Sequence, residues 1–426
     1  MITAIGTILL FVLLIIGLPV ALAMALSGAV GLWMVGGISA LIGQLIGTPL
    51  TALHSYEFIM VPMFILMANF VLVSGVSQEL FTIARTWTGR VRGGLGYATV
   101  LTGAAFGAIC GSSTAAAATL SSTSMPGMIR EGYEKKMAAG LVAITGTLSM
   151  LIPPSGAMVI YALLAGMNVA QLLIAGIVPG ILAAITIMLT IKFLLWLNPE
   201  DAPMSQQYTM KEKLGSLRKA WSFILLFVAV TVVIYTGVAT PTEASALGAL
   251  VAFLLAVGRG ASVSAIWRAL VMTARASCMI GFIILGAHFF GYFLTLTQFT
   301  PSLFRFLEAS QVNPTVILAC LVLMYLVLGC FMDLIAILIL TVPIVHPLII
   351  HLGYDPIWFG VITIMLGEIG LLTPPLGLNV FVISKYTGIP LVDAFKGSMP
   401  HVVSHLILII LLMMFPQLIL WLPGTM

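Results

Sequence analysis

The sequence predicts an all-α polytopic membrane protein made of two inverted-topology repeats, each with five crossings, one of them a broken helix, plus a re-entrant hairpin. Three observations predict it. Hydrophobic residues make up 61% of the chain and charged residues 7%, with a mean hydropathy of +1.20. A soluble domain carries about 25% charged residues, so no sizeable soluble domain fits. The chain also contains one unusual stretch twice: Gly146-Thr-Leu-Ser-Met-Leu-Ile-Pro-Pro-Ser-Gly156 and Glu368-Ile-Gly-Leu-Leu-Thr-Pro-Pro-Leu-Gly-Leu-Asn379. Finally, basic residues gather in particular loops, and the positive-inside rule gives those loops a side.

The repeat is specific. Pro374 lies 221 residues after Pro153, and the same offset pairs Pro126 with Pro347, Gly132-Tyr133 with Gly353-Tyr354, Gly146 with Gly367, Gly156 with Gly377, Gly176 with Gly397 and Pro179 with Pro400. Chance identities in so apolar a chain would fall on Leu, Ile or Ala. These fall on Gly and Pro, which set backbone shape.

In chain order, apolar runs at about 3–18 and 20–36 read as two helices with Gly17 and Pro19 at the turn. The start lacks a basic n-region, so a retained first helix reads better than a signal peptide, although Ala21-Leu-Ala23 resembles a cleavage site. Residues 38–55 are mixed and suit the interface. A span at about 57–76 leads to a basic amphipathic arm with Arg85, Arg90 and Arg92, so 1–92 reads as scaffold. The segment 94–129 lies between that arm and Arg130, Lys135 and Lys136. Both its ends therefore share a side, and it is short for two crossings of about 20 residues each. A re-entrant hairpin with its tip at Gly111-Ser112-Ser113 fits.

A broken helix at 137–167 and a span at about 170–196 close the first repeat, 1–197. The polar linker 198–219 is expected on the cytoplasmic side. The second repeat, 220–426, has spans at about 221–238, 241–258 and 277–298. A second basic arm at 259–276 carries Arg259, Arg268 and Arg275. Hairpin two at 314–350 turns near Gly329-Cys-Phe-Met-Asp333; a broken helix at 357–386 and a span at about 400–422 follow. The loops flanking hairpin two carry Arg305, Glu308, His351 and Asp355 and lack a basic excess. An odd number of crossings inverts the second copy, which puts hairpin two on the outer side and both termini outside.

A Pro-Pro pair cannot sit in an unbroken helix, because two N–H donors are missing and the ring clashes with the preceding turn. A kink outside the lipid is the simpler alternative. Long apolar runs on both sides of each pair argue instead for breaks at mid-depth. Non-helical backbone there is tolerated only where protein buries it or a cavity meets it. Broken helices at corresponding positions of two repeats point to a secondary-transporter binding site.

The offset lays Gly111-Ser112-Ser113 onto Met332-Asp333-Leu334, so both hairpin tips meet both breaks near the midplane. Ser112, Ser113, Thr119, Ser149, Ser155, Asp333, Thr373, Asn379 and freed carbonyls offer hard oxygen ligands, suited to an alkali cation. Helix N-termini at the breaks offer N–H groups to an anion. Asp333 stands out, because a carboxylate in an apolar run costs about 2.5–3.5 kcal/mol on insertion scales. Pairing with a distant lysine is its plain alternative. Glu368 reads as lying near a span's wetter end, and Lys385 and Lys396 as snorkelling anchors at the inner surface.

Other chemistry is sparse. The net charge of +4 sits in loops and implies orientation, not nucleic-acid binding. Cys110, Cys278, Cys320 and Cys330 lack metal spacing and read as buried free thiols. His401 and His405, like His346 and His351, read as interface histidines, and the 24 methionines as lipid-facing or core filler. No P-loop sequence is present, so transport driven by ATP at such a loop is excluded. An intramembrane serine hydrolase using Ser112 or Ser113 has no evident basic partner.

With these residues in hand, the chain resembles the large membrane subunit of the tripartite ATP-independent periplasmic (TRAP) transporters nearly end to end. The resemblance rests on Phe106-Gly-Ala-Ile-Cys-Gly-Ser-Ser-Thr-Ala-Ala-Ala-Ala-Thr119, Leu151-Ile-Pro-Pro-Ser155, Thr240-Pro-Thr-Glu-Ala244 and Glu368 to Asn379. It implies an elevator-type, sodium-coupled symporter, not an enzyme, for an organic acid of the C4-dicarboxylate or sialic acid class. It implies a bacterial inner-membrane location and two partners, a small four-helix membrane subunit on a separate polypeptide and a periplasmic substrate-binding protein, with lipid around them. It places sodium, the coupling ion, at Ser112, Ser113, Ser149, Gly329, Asp333, Gly370 and Thr373. The substrate is expected against Gly111, Thr119, Pro154, Ser155, Pro375 and Asn379. A single-chain divalent-anion symporter without partners is the runner-up.

Overall fold

The structure, a computed structural model, describes residues 2–425 except Ser55. Helices α1 (Ile2–Ile15) and α2 (Val20–Leu53) meet at a turn where Gly17 adopts φ +90°. Helix α2 breaks at Gly37, whose φ of 70° and ψ of −169° are not helical. The break divides it into an apolar first half and a second segment, residues 38–53. Helix α3 (Met60–Ser74) crosses next, and Gly75, in the left-handed region, turns the chain into the amphipathic arm α4 (Val76–Thr88).

Then come α5 (Gly94–Cys110), α6 (Ser113–Thr123), α7 (Met125–Glu131), α8 (Lys135–Leu151), α9 (Gly156–Ala165), α10 (Val169–Ala175) and α11 (Ile177–Leu197). Helix α12 (Met210–Leu217) lies in the linker. The second half runs through α13 (Trp221–Phe227), a π-helical stretch Val228–Val232, α14 (Val233–Tyr235), α15 (Pro241–Gly258) and α16 (Val263–Leu296). It ends with α17 (Phe299–Ala309), α18 (Pro314–Phe331), α19 (Leu334–His351), α20 (Pro356–Gly370), α21 (Leu378–Thr387), α22 (Leu391–Met414) and α23 (Gln417–Leu420). Among the described residues nine helices are long and apolar enough to cross a membrane, or ten when the pair α8 and α9, bent by 43°, counts as one.

The 221-residue offset carries α5 onto α18, α6 and α7 onto α19, α8 onto α20 and α9 onto α21, and both breaks contain a cis Pro-Pro peptide. Side-chain and backbone bonds fix which ends share a face. The Tyr133 hydroxyl accepts from Gly96 N at 3.2 Å, Arg85 pairs with Glu131 at 2.9 Å, and Glu134 N and Gly93 N donate to Asp201 O and Pro203 O. Both ends of hairpin one therefore lie with the linker. At hairpin two, the Tyr325 hydroxyl donates to Thr341 Oγ1 at 2.9 Å, which ties positions nearly symmetric about Asp333. His351 at its far end pairs with Glu308 of α17 at 3.2 Å. Both hairpins thus return to the face they left, and on opposite faces. Tracing the crossings between these anchors, Arg305 is the sole Lys or Arg among the described residues on hairpin two's face. The Tyr235 and Thr425 hydroxyls meet at 3.2 Å, which brings the end of α14 against the last described residue.

Several expectations are corrected. The arm at 259–276 and the span at 277–298 are one helix, α16. At 34 residues it is about 51 Å long, against a hydrocarbon core of about 30 Å. Under the offset its arm falls on the 38–53 segment of α2 and its span on α3, whereas the first basic arm, α4, corresponds to α17. The last span begins nine residues before 400, at Leu391, and ends at Met414.

His401 and His405 are buried, at 0% and 3% exposure, and are not interface histidines. The cause is a glycine contact: a Cβ on Gly140 of α8 would fall inside van der Waals distance of the Gly397 backbone, so α22 lies against α8 backbone to backbone. Of the four free cysteines only Cys110 is buried, because Cys278 and Cys320 point outward from their helices. The Thr240-Pro-Thr-Glu243 motif is a capping box that opens α15: Thr240 Oγ1 accepts from Glu243 N, while Glu243 accepts from Thr240 N at 2.8 Å.

Candidate functional site

At the tip of hairpin one Gly111 takes φ +60°, and Ser112, in extended backbone, caps α6 with its Oγ accepting from Ala115 N at 3.5 Å. The tip presses on the first break. A Cβ on Gly111 would sit 3.2 Å from Pro154 O, and one on Gly107 would sit 2.8 Å from Ser149 Cα. Only glycine permits this approach.

The break itself follows from the prolines. In a continuous helix the N–H groups of residues 153 and 154 would bond the carbonyls of Ser149 and Met150, and proline has none. Ser155 Oγ replaces one of them by donating to Met150 O at 2.5 Å, while accepting from Met158 N as the cap of α9. Ser149 O is left without its i+4 donor. In the second repeat Asn379 N donates to Leu371 O, and Thr373 N to Gly370 O.

Hairpin two ends in Asp333, the cap of α19, whose carboxylate accepts from Ile335 N at 3.1 Å. Its tip interlocks with the second break. A Cβ on Gly329 would lie 2.8 Å from Gly370 Cα, and Leu376 N donates to Cys330 O at 3.3 Å.

Between these tips and the scaffold lies a cavity of about 360 Å³. Gly111, Ser112, Ser113, Thr114, Pro154 and Asp333 line it from the repeated core. Val61, Phe64, Ile65 and Asn69 of α3, with Met272 and Met279 of α16, line it from the other side. Asn69 is held there by donating to Thr273 Oγ1 at 2.9 Å. No Lys or Arg is among the lining residues.

Of the expected sodium residues, Ser112, Ser113 and Asp333 reach this cavity, and of the expected substrate residues Gly111 and Pro154 do. Ser149, Gly329, Gly370 and Thr373 sit behind it, in the contacts between tips and breaks. Thr119 lies farther down α6 and donates to Ala115 O. Ser155 is buried and spent on its cap. Pro375 is exposed on the outer side of the second break, and Asn379 is fully buried with neither amide atom hydrogen-bonded.

Sequence reasoning passed over Glu368. It is 2% exposed, faces the Ser113 hydroxyl and the Asp333 carboxylate, and neither of its oxygens closes a hydrogen bond of good geometry. Far from a wet helix end, it stands one and a half turns before the second break, and the offset lays it on Thr147 inside α8. That register was the signal that could have found it. Two carboxylates thus converge with Ser113, and among the described residues neither pairs with a base. The arrangement offers oxygen ligands and negative charge to a hard cation. Ser112 hydrogen-bonds Thr114; with neither histidine nor lysine lining the cavity, the nucleophile-and-base geometry of a serine hydrolase is missing among the described residues.

The family model described as "Tripartite ATP-independent periplasmic transporter, DctM component" matches residues 7–418. The C4-dicarboxylate TRAP transporter large permease protein DctM of Pseudomonas aeruginosa is 36% identical over 371 residues, covering 87% of this chain and 86% of that one. The sialic acid TRAP transporter large permease protein SiaM of Vibrio cholerae is 28% identical over 415 residues, covering 96% of each. Among solved structures, the Alcanivorax borkumensis YdaH transporter matches with a TM-score of 0.65 at 14% identity, over 95% of this chain and 97% of that one. That last likeness is one of fold.

Proposed function

The chain belongs to the DctM component family of tripartite ATP-independent periplasmic transporters, and from that premise we propose that it carries out sodium-coupled uptake of an organic acid across a bacterial inner membrane. The single observation that carries this reading is the cavity at the junction of the two hairpin tips, with Asp333 on its wall and Glu368 behind it, neither paired with a base among the described residues. A sodium ion supplies the compensating charge. Its ligands are drawn from Asp333, Glu368, the Ser112 and Ser113 hydroxyls and the carbonyls freed at the breaks, including that of Ser149. The acid's carboxylate lies at the tip of hairpin one, where the N–H groups that open α6 and Thr114 meet the cavity. Sodium at the carboxylate pair lowers the negative charge that the anion meets, which couples the two bindings.

The movement we propose is an elevator. The repeated core, α5 to α11 and α18 to α22, slides against a scaffold of α1 to α3 and α13 to α16. The cavity's two walls belong to different halves of that division, as such a movement requires. A small membrane subunit and a periplasmic binding protein complete the transporter, as in the family. C4-dicarboxylates and sialic acids, the substrates in the names of the two relatives, are the first to test. With the basic face cytoplasmic, hairpin one opens inward.

The test is reconstitution of the chain with a small subunit and a binding protein in liposomes under an inward sodium gradient. Labelled acid should accumulate against its own gradient, and both choline in place of sodium and omission of the binding protein should abolish this. Accumulation without the binding protein would favour the single-chain symporter. Equilibration without accumulation would make the protein a passive pore.

A further inference from the structure

A second cavity, of about 400 Å³, lies away from the transport site, between α4, α5 and α13 on the basic face. Its walls are apolar: Ile83 and Trp87 from α4, Leu101 and Ala105 from α5, and Leu217 and Phe223 from the end of the linker and α13. Trp87, Leu101 and Leu217 are exposed at 41%, 40% and 45%, so the groove opens sideways.

Its mouth is basic. Lys213 Nζ stands 5.9 Å from the Trp87 ring centroid. Arg218 and Lys219 occupy the 3-10 turn Arg218–Ala220 that joins wall residues Leu217 and Ala220, and Arg90 follows Trp87 by one turn. Among the described residues none of these four cations pairs with a carboxylate. The neighbouring acids are engaged elsewhere: Glu131 with Arg85, Glu79 with Arg259, and Glu212 in the capping box with Thr209.

The geometry assigns this groove to an anionic glycerophospholipid. Its phosphate is held by Lys213, Arg218 and Lys219, and an acyl chain lies along Ile83, Leu101 and Phe223. Charge complementarity at the mouth and an apolar interior are the two halves of that ligand's chemistry, and Trp87 with Trp221 stands at headgroup level as interfacial tryptophans do. A partner helix fits less well. At about 10 Å across, a helix fills roughly 400 Å³ per turn, so the groove takes a single turn, whereas a thin alkyl chain runs its length. The site does not depend on the transport reading.

The experiment uses the full chain, delipidated in detergent, and follows its melting temperature and native mass spectrum. The additions are dioleoyl phosphatidylglycerol, dioleoyl phosphatidylcholine and inorganic phosphate. At about fivefold per cation, three cations predict roughly hundredfold tighter binding of phosphatidylglycerol than of phosphatidylcholine. The triple variant Lys213→Gln, Arg218→Gln, Lys219→Gln, all on the surface, should lose that preference. Ala105→Phe, which fills the groove, should weaken both lipids. Equal binding of the two lipids, or an unchanged preference in the triple variant, overturns the assignment. A rise in melting temperature with phosphate alone, matching that with lipid, makes the site one for free anions and overturns it too. So does crosslinking of Leu101→Cys to a co-expressed small membrane subunit, which would make the groove a subunit interface.

Discussion

Replacing Glu368 with Gln removes one carboxylate from the buried pair while keeping its shape. The side chain is 2% exposed and lies beside Asp333. A cation held between two carboxylates loses the attraction of one of them in the variant. Two unit charges about 4–8 Å apart interact by roughly 2–4 kcal/mol at an effective dielectric of about 20. That corresponds to about 30- to 1000-fold in sodium affinity at 1.4 kcal/mol per decade. The assay is the melting temperature of purified protein titrated with sodium against choline at constant ionic strength. A ligand that binds only the folded state stabilises it by about 2.7 kcal/mol at a concentration 100 times its Kd, so the midpoint is readable. The midpoint should move at least 30-fold upward in Glu368→Gln. In choline the variant should be no less stable than wild type, because an uncompensated carboxylate has left the interior. A sodium midpoint within threefold of wild type would refute the reasoning, and the carboxylate would then serve packing or proton binding only.

Four further outcomes follow from the same geometry. Asp333→Ala removes both the charge and the cap of α19 and should abolish coupled uptake with membrane insertion intact; Asp333→Asn keeps a capping side chain and should still lose the sodium response, which separates charge from fold. Ser155→Ala takes away the cap of α9 and the donor to Met150 O, so stability should fall by about 1–2 kcal/mol while the sodium midpoint stays put; a shifted midpoint would make Ser155 a ligand. Gly370→Ala drives a methyl into Gly329 and should destabilise by about 1–3 kcal/mol with a weakened sodium response; an unaltered protein would mean the tip and the break are not locked together. Single cysteines at Lys135 and Tyr354 should label from opposite sides of the membrane in intact cells and inverted vesicles; labelling from one side would break the inverted topology.

How far the sequence could be read depended on the kind of signal. The breaks were legible because two adjacent prolines leave the backbone no helical option, and hairpin one because basic residues flank a segment too short to cross twice. Both survive in Pro153-Pro154 and in Gly111-Ser112 as the structure has them. Glu368 was misread because hydropathy sees a carboxylate near the end of an apolar run and cannot see that the run continues past a break. His401 and His405 were misread for a similar reason. Their burial depends on a contact between Gly140 and Gly397, far apart in sequence, which no local pattern announces. At Ser155 a hydroxyl beside a break reads as a ligand, and the sequence could not show that it also donates to Met150 O, the carbonyl that the missing Pro154 N–H would have met. The arm at 259–276 was separated from its span by its arginines, although nothing in the backbone interrupts α16.

The hydrogen bonds around the first cavity are unevenly distributed. Asn69 spends its donor on Thr273, inside the scaffold, and among the described residues no hydrogen bond joins α3 or α16 to either hairpin tip. Among the described residues, the ion pairs that fasten hairpin bases to their arms are Arg85 to Glu131 on one face and His351 to Glu308 on the other, at corresponding places in the two repeats. In mechanical language this is a greased bearing with a latch at each end. In the elevator movement proposed above, sliding would break no hydrogen bond between α3 or α16 and the hairpin tips, and the two ion pairs would have to exchange.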